Sequence, residues 1–201
     1  MSDEPRDGRG QRSDATRATL VAAARTLFVE RGYAAVSTGD IARVAQVTRN
    51  ALYYHFPTKE ALFRAVYEDV ESRLAGRVLP AAQAHHTIRE QLTAGIDAFL
   101  DGCLDPTVAR ISVLEAPAAL GFAQMREIDN RNYLGALRDG IGAAVRAGEL
   151  PDLPVDALAS MILGALDEAA LLIATADDPA AARRDAGAVA QALVAGLFLP
   201  A

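Results

Sequence analysis

Residues 48–62, TRNALYYHFPTKEAL, gather the side chains best suited to chemistry with an anion or a nucleobase. The chain has five Tyr and six Phe, and Tyr53, Tyr54, Phe56, Phe63 and Tyr67 fall within residues 53–67. Its only lysine, Lys59, sits in the same stretch. Arg49 carries a forked donor that matches a guanine edge, and Asn50 an amide donor–acceptor pair that matches an adenine edge. Tyrosine hydroxyls and the His55 ring have the reach to meet phosphates or thymine methyls. Lys59 opens a helix whose free N–H groups already favour an anion, so a cation there suits a phosphate. Tyr53 has a second reading as a packing residue, and Tyr54 as a side chain pointing to solvent.

Two short helices must position these groups. Ser37 and Asp40 form a variant capping box for a helix over 40–45. Thr48 caps a second helix from Arg49 to His55, which Pro57 blocks from continuing. The link Gln46-Val47 joins them into a helix-turn-helix unit, whose second helix enters the DNA major groove in such proteins. A first helix with the stripe Leu20, Ala23, Ala24, Leu27 and Phe28 ends at Gly32. Leu27, Phe28, Ile41, Val44, Val47, Leu52 and Phe56 are the expected core.

The rest of the chain also reads as helix, with no lasting strand alternation and no internal repeat. Thr58 caps a helix that breaks at Leu79-Pro80. Thr87 and Glu90 form a full capping box for a helix over about 87–104, with the stripe Leu92, Ile96, Phe99 and Cys103. A short helix runs from Pro106 to near Pro117, and a long one runs over 121–147 to Gly148. Two more span about 154–175 and 179–198. The expected fold is all-α with about nine helices. Its expected parts are a flexible N-terminal arm (1–12), a helix-turn-helix DNA-binding domain (13–58, with the start of a linking helix to about 73) and a helical ligand-binding and dimerisation domain (74–201).

Composition narrows the function classes. The 201 residues carry one cysteine, Cys103, so no internal disulfide and no cysteine-only metal site is available. His85-His86 are neighbours that point different ways on a helix, with no further ligand cluster, so no metal and no cofactor is expected. No nucleophile–base pair and no phosphate loop stand out, so no catalytic residue is assigned. Residues 1–12 lack an apolar region, which argues against a signal peptide. The stretch 157–176 is long and apolar, but Asp167 and Glu168 near its centre would each cost roughly 3 kcal/mol in a bilayer. A cytoplasmic protein without a membrane partner is expected. The net charge of −6 is uneven: residues 1–80 balance to +2 and residues 81–201 to −8, which assigns anion binding to the front half.

Residues 16–73 resemble the DNA-binding domain of the TetR family of bacterial repressors. The resemblance rests on the helix end ARTLFVERGY, the helix STGDIA and the run VTRNALYYHFPTKEAL. It implies a two-domain, all-helical homodimer with a small-molecule pocket in each C-terminal domain. Carried over by position, phosphate contacts fall on Thr38, Tyr53, His55 and Lys59. Base-reading positions fall on Arg49, Asn50 and Tyr54, and Thr48, the helix cap, joins the expected DNA-binding residues. Two positions depart from the pattern: Gln46 replaces a usual glycine, and Gly39 replaces a usually longer contacting residue. Arg49 is therefore expected to carry more of the specificity.

The resemblance places the pocket among helices between about 60 and 175. Phe63, Tyr67, Phe99, Cys103, Phe122, Met125 and Tyr133 are its candidate lining. The last two helices have wide apolar faces that need a second partner. Leu158, Met161, Ile162, Ala165, Leu166, Ala169 and Leu172 on one, with Val189, Leu193 and Leu197 on the other, are expected to form a four-helix dimer interface. The expected function is a ligand-responsive repressor that binds a palindromic double-stranded DNA operator as a homodimer. A small, mainly hydrophobic, neutral or cationic effector releases it. The competing readings are a ligand-independent DNA-binding regulator or activator, and an enzyme using the C-terminal cavity.

Overall fold

In the computed structural model, residues 7–199 are described, and they form an all-α fold of nine continuous helical stretches. They divide into two compact units, one up to Glu68 and one from Asp69 onward.

In the first unit, α1 (Asp7–Arg31) packs α2 (Thr38–Val44) and α3 (Arg49–His55) around Leu20, Ala24, Leu27, Phe28, Ile41 and Leu52. The helix begins inside the segment expected to be an arm; residues 1–6 of that arm lie outside the described residues. Gly32 closes α1 with φ 81°, its N–H donating to the Phe28 carbonyl at 2.9 Å. Val44 is half exposed rather than in the core, because Ile41, Ala42 and Ala45 take the inner positions of so short a helix.

The caps that the sequence marks for α2 and α3 are formed. Ser37 Oγ accepts from the Asp40 amide at 3.1 Å and donates to the Asp40 carboxylate at 2.6 Å. Those bonds, with Arg43 beside them, lower the Asp40 carboxyl to about 2. Thr48 Oγ1 accepts from the Ala51 amide at 3.1 Å. Between the two helices Gln46 adopts φ 56°, a left-handed conformation that costs a side-chain-bearing residue roughly 1–2 kcal/mol.

Helix α4 (Lys59–Gln83) continues through Pro80, where the sequence reads a break. Proline removes only one backbone bond so near a helix end, and Pro80 itself accepts from the Ala84 amide at 3.1 Å. In the second unit follow α5 (Ile88–Gly102), α6 (106–119), α7 (121–147), α8 (Val155–Thr175) and α9 (Pro179–Ala195). Helix α9 packs on α8 and α5, and α8 also on α6. Two stretches widen to π-helical geometry: Ala109–Glu115 within α6 and Asn130–Leu134 within α7. Such wide turns are rare and frequent at functional sites.

Candidate nucleic-acid interface and internal cavity

Helix α3 is held from one side. Leu52 is fully buried and Phe56 nearly so, with the Arg17 guanidinium 5.1 Å from the Phe56 ring. The opposite side presents Arg49, Asn50, Tyr53 and Tyr54 to solvent. Tyr54 is 82% exposed, whereas Tyr53 is 48% exposed and its hydroxyl lies 3.0 Å from Thr38 Oγ1. That bond ties the start of α2 to the middle of α3, so Thr38 and Tyr53 act as one polar unit. His55 is half-buried and meets the Tyr54 ring edge-on at 5.2 Å. Thr48 is exposed but spends its oxygen on the cap.

Lys59 has an intramolecular task that its place in the sequence does not reveal. Its Nζ donates to the Tyr33 carbonyl at 2.9 Å and the Val36 carbonyl at 3.1 Å. It also lies 4.3 Å from the centre of the Tyr33 ring. The loop that delivers Ser37 to the N-cap of α2 is thereby fixed to the start of α4. Two of the three ammonium donors are used inside the protein.

The second unit holds a cavity of about 350 Å³. Its wall comes from the end of α4 (Val78, Leu79, Ala82, Gln83), from α5 (Ile88, Gln91, Leu92, Gly95, Ile96, Phe99), from α7 (Tyr133, Ala136, Leu137, Asp139, Gly140) and from α8 (Ile162, Leu163, Leu166). Phe99 and Tyr133 meet edge to face at 6.1 Å. Asp139 is the one charged lining residue.

Of the seven expected lining residues, the structure brings Phe99 and Tyr133 to this wall and leaves five away from it. Phe63 belongs to an aromatic cluster of the first unit, 5.3 Å from Phe28 and 4.9 Å from Tyr33. Tyr67 is buried elsewhere. Cys103 is buried too, and burial, with Glu71 and Asp167 nearby, pushes its thiol up to about 12. Phe122 is 72% exposed under the Arg126 guanidinium, and Met125 is half-buried beyond the wall. Gln83, Gln91 and Asp139 are lining groups that the apolar periodicity does not mark. Asp97 and Asp101 turn away from the cavity to Arg183, at 2.9 and 2.7 Å.

Behind the wall, Tyr133 donates its hydroxyl proton to Glu71 Oε2 at 2.9 Å. Glu71 is 4% exposed. Burial pushes its carboxyl up to about 7; Asp129 and Asp167 add to the rise, and the Ser112 and Tyr133 hydroxyls oppose it. Ser112 and Tyr133 belong to the two π-helical stretches; both wide turns come up to this acid, but of the two only Tyr133 makes a hydrogen bond to it.

The expected dimer face divides. Met161, Ala165, Leu172, Val189 and Leu193 are exposed, and Leu158 and Leu197 are half-buried. Ala169 is buried within the unit, and Ile162 and Leu166 line the cavity. Helix α8 has the length and composition of a membrane span, yet Glu168 lies on its exposed side and Asp167 near Arg126 at 3.9 Å. No group of three metal-ligating side chains occurs among the described residues.

Residues 20–66 match the family model of bacterial regulatory proteins of the tetR family, and residues 89–197 match a tetracyclin repressor-like C-terminal domain. The Transposon Tn10 TetC protein of Escherichia coli is 29% identical over 153 residues, covering 73% of this chain and 74% of that one. The crystal structure of a TetR-family transcriptional regulator from Pectobacterium atrosepticum is 32% identical with a TM-score of 0.83, covering 98% of this chain and 99% of that one. The regulator FadR of Bacillus subtilis, solved with stearoyl-CoA, has a TM-score of 0.71 at 22% identity, over 86% and 96% of the two chains. At that identity the likeness concerns the fold.

Proposed function

The chain belongs to the TetR family of transcriptional regulators, and from that premise we propose that it is a cytoplasmic, ligand-responsive repressor. In this reading it binds a palindromic operator as a homodimer and leaves it when a small molecule fills the cavity of the second unit. The observation that carries the reading is the exposed row Arg49, Asn50, Tyr53 and Tyr54 on a helix fixed by Leu52, Phe56 and the Thr48 cap. A rigid helix with donors that match base edges is what direct readout requires.

The cavity supports an effector with a mainly apolar body. Its wall is aliphatic and aromatic, with Gln83, Gln91 and Asp139 as polar groups. An acid at the wall opposes a phosphorylated or polyanionic ligand and tolerates a neutral or cationic one. By linkage, a ligand that releases DNA binds the DNA-free dimer more tightly than the bound one.

Selection from a pool of random-sequence duplexes tests the DNA half of the reading. The expected product is a family of two-fold symmetric sites. Thermal-shift screening of the free protein, followed by operator release with the compounds that stabilise it, tests the other half. Stabilisation and release by anionic metabolites alone would overturn the proposed effector class.

A further inference from the structure

Gly39 is the second residue of α2 and Arg49 the first of α3. The Arg49 guanidinium lies directly on the bare backbone at Gly39. A methyl group there would sit 2.5 Å from Nη2 and 3.0 Å from both Cζ and Nε. Arg49 has no hydrogen bond or ion pair with protein among the described residues, so its donors remain available while its direction is set by a notch. A long arginine is otherwise free to sample many rotamers, at a cost of about 2 kcal/mol to order.

We propose that Gly39 is a specificity-determining position of the operator-reading surface, acting through Arg49: the missing side chain seats the guanidinium and sets the angle at which it meets a base edge. This rests on the DNA-reading proposal above. Gly39 is a positioning residue here, and Arg49 is the group that touches DNA. The same geometry accounts for a short residue on α2: the reach lost at position 39 is supplied from position 49.

Gly39→Ala is a clean test. The backbone at Gly39 is not left-handed, and alanine favours a helix over glycine, so the fold tolerates the change. Only the flexible end of Arg49 must move. Random-duplex selection is run on the wild type, Gly39→Ala, Arg49→Ala and the double variant, followed by titration of single-base variants of the selected site. Gly39→Ala is expected to keep or raise the unfolding temperature while discrimination at one base pair per half-site drops about tenfold or changes its preferred base. Arg49→Ala is expected to lose discrimination at that same base pair, and adding Gly39→Ala to it to change nothing further. If Gly39→Ala keeps the wild-type preference within about twofold while Arg49→Ala relaxes it, the seating role is wrong and DNA reading stands. If the wild type enriches no sequence, the DNA-reading proposal falls and this inference with it.

Discussion

Tyr133 donates a hydrogen bond to the carboxyl group of Glu71 at 2.9 Å, joining the wall of the cavity to the most buried acid among the described residues. The ring of Tyr133 lines the cavity while its hydroxyl serves a group on α4.

A pH dependence of stability follows. Burial raises the Glu71 carboxyl from 4.5 to about 7 in the folded chain. Between those values the folded state holds a proton that the unfolded state has released. Stability from this group is full below about pH 4.5, falls as pH rises to about 7 and is flat above. The span corresponds to on the order of 3 kcal/mol. Glu71→Gln removes the titration and keeps an acceptor for Tyr133. The unfolding temperature of Glu71→Gln minus that of the wild type is expected to rise from pH 5 to pH 7 and then level off. A difference that stays constant over that range would show that Glu71 is not held protonated by the fold.

Lys59 provides a second test, because its Nζ is committed to the Tyr33 and Val36 carbonyls. Hydrogen bonds from a charged donor are worth roughly 1.5–3 kcal/mol. Lys59→Ala is expected to lower the unfolding temperature and to weaken binding to all DNA sequences alike, since the loop leading to Ser37 loses its clamp. Unfolding by circular dichroism and titrations on selected and random duplexes at several salt concentrations separate the roles. An unchanged unfolding temperature, with the salt slope reduced by about one ion per chain, would instead make Lys59 a phosphate contact alone.

The helix ends were legible because caps are local: Ser37 with Asp40, Thr48, and Thr87 with Glu90 each satisfy backbone groups within three residues. The exposed face of α3 was legible for a related reason, since its one leucine, Leu52, turns inward while Arg49, Asn50, Tyr53 and Tyr54 stay outside. The cavity wall was only partly legible. Aromatic type does not encode direction, so Phe63 went to the first unit's cluster and Phe122 to the surface. Neither π-helical stretch has a glycine or proline at its centre to announce it, and the convergence of Ser112 and Tyr133 on Glu71 exists only in the folded chain. Gln46 shows the opposite case: the sequence flags a strained turn, and the backbone adopts the left-handed geometry in spite of its side chain.

The exposed face of α8 and α9 gives the last prediction. Met161 is 74% exposed, Leu172 54%, Val189 61% and Leu193 60%, on two helices that pack against each other. Large apolar side chains exposed together on packed helices make a candidate interaction surface. The proposed occupant is the same face of a second chain, because an isologous contact pairs like with like and gives the two-fold symmetry that a palindromic site demands. Ala165 keeps the centre of α8 low enough for close approach, while Glu168 lies within the face. Placing a further acid there opposes that pairing twice, once on each chain. Leu193→Glu is expected to convert a dimer to a monomer in size-exclusion chromatography with light scattering, while helix content stays unchanged because the side chain is exposed in the single chain. Affinity for a full palindrome is expected to fall steeply, and affinity for a half-site to remain. A Leu193→Glu protein that stays dimeric with wild-type operator affinity would place the dimer contact elsewhere.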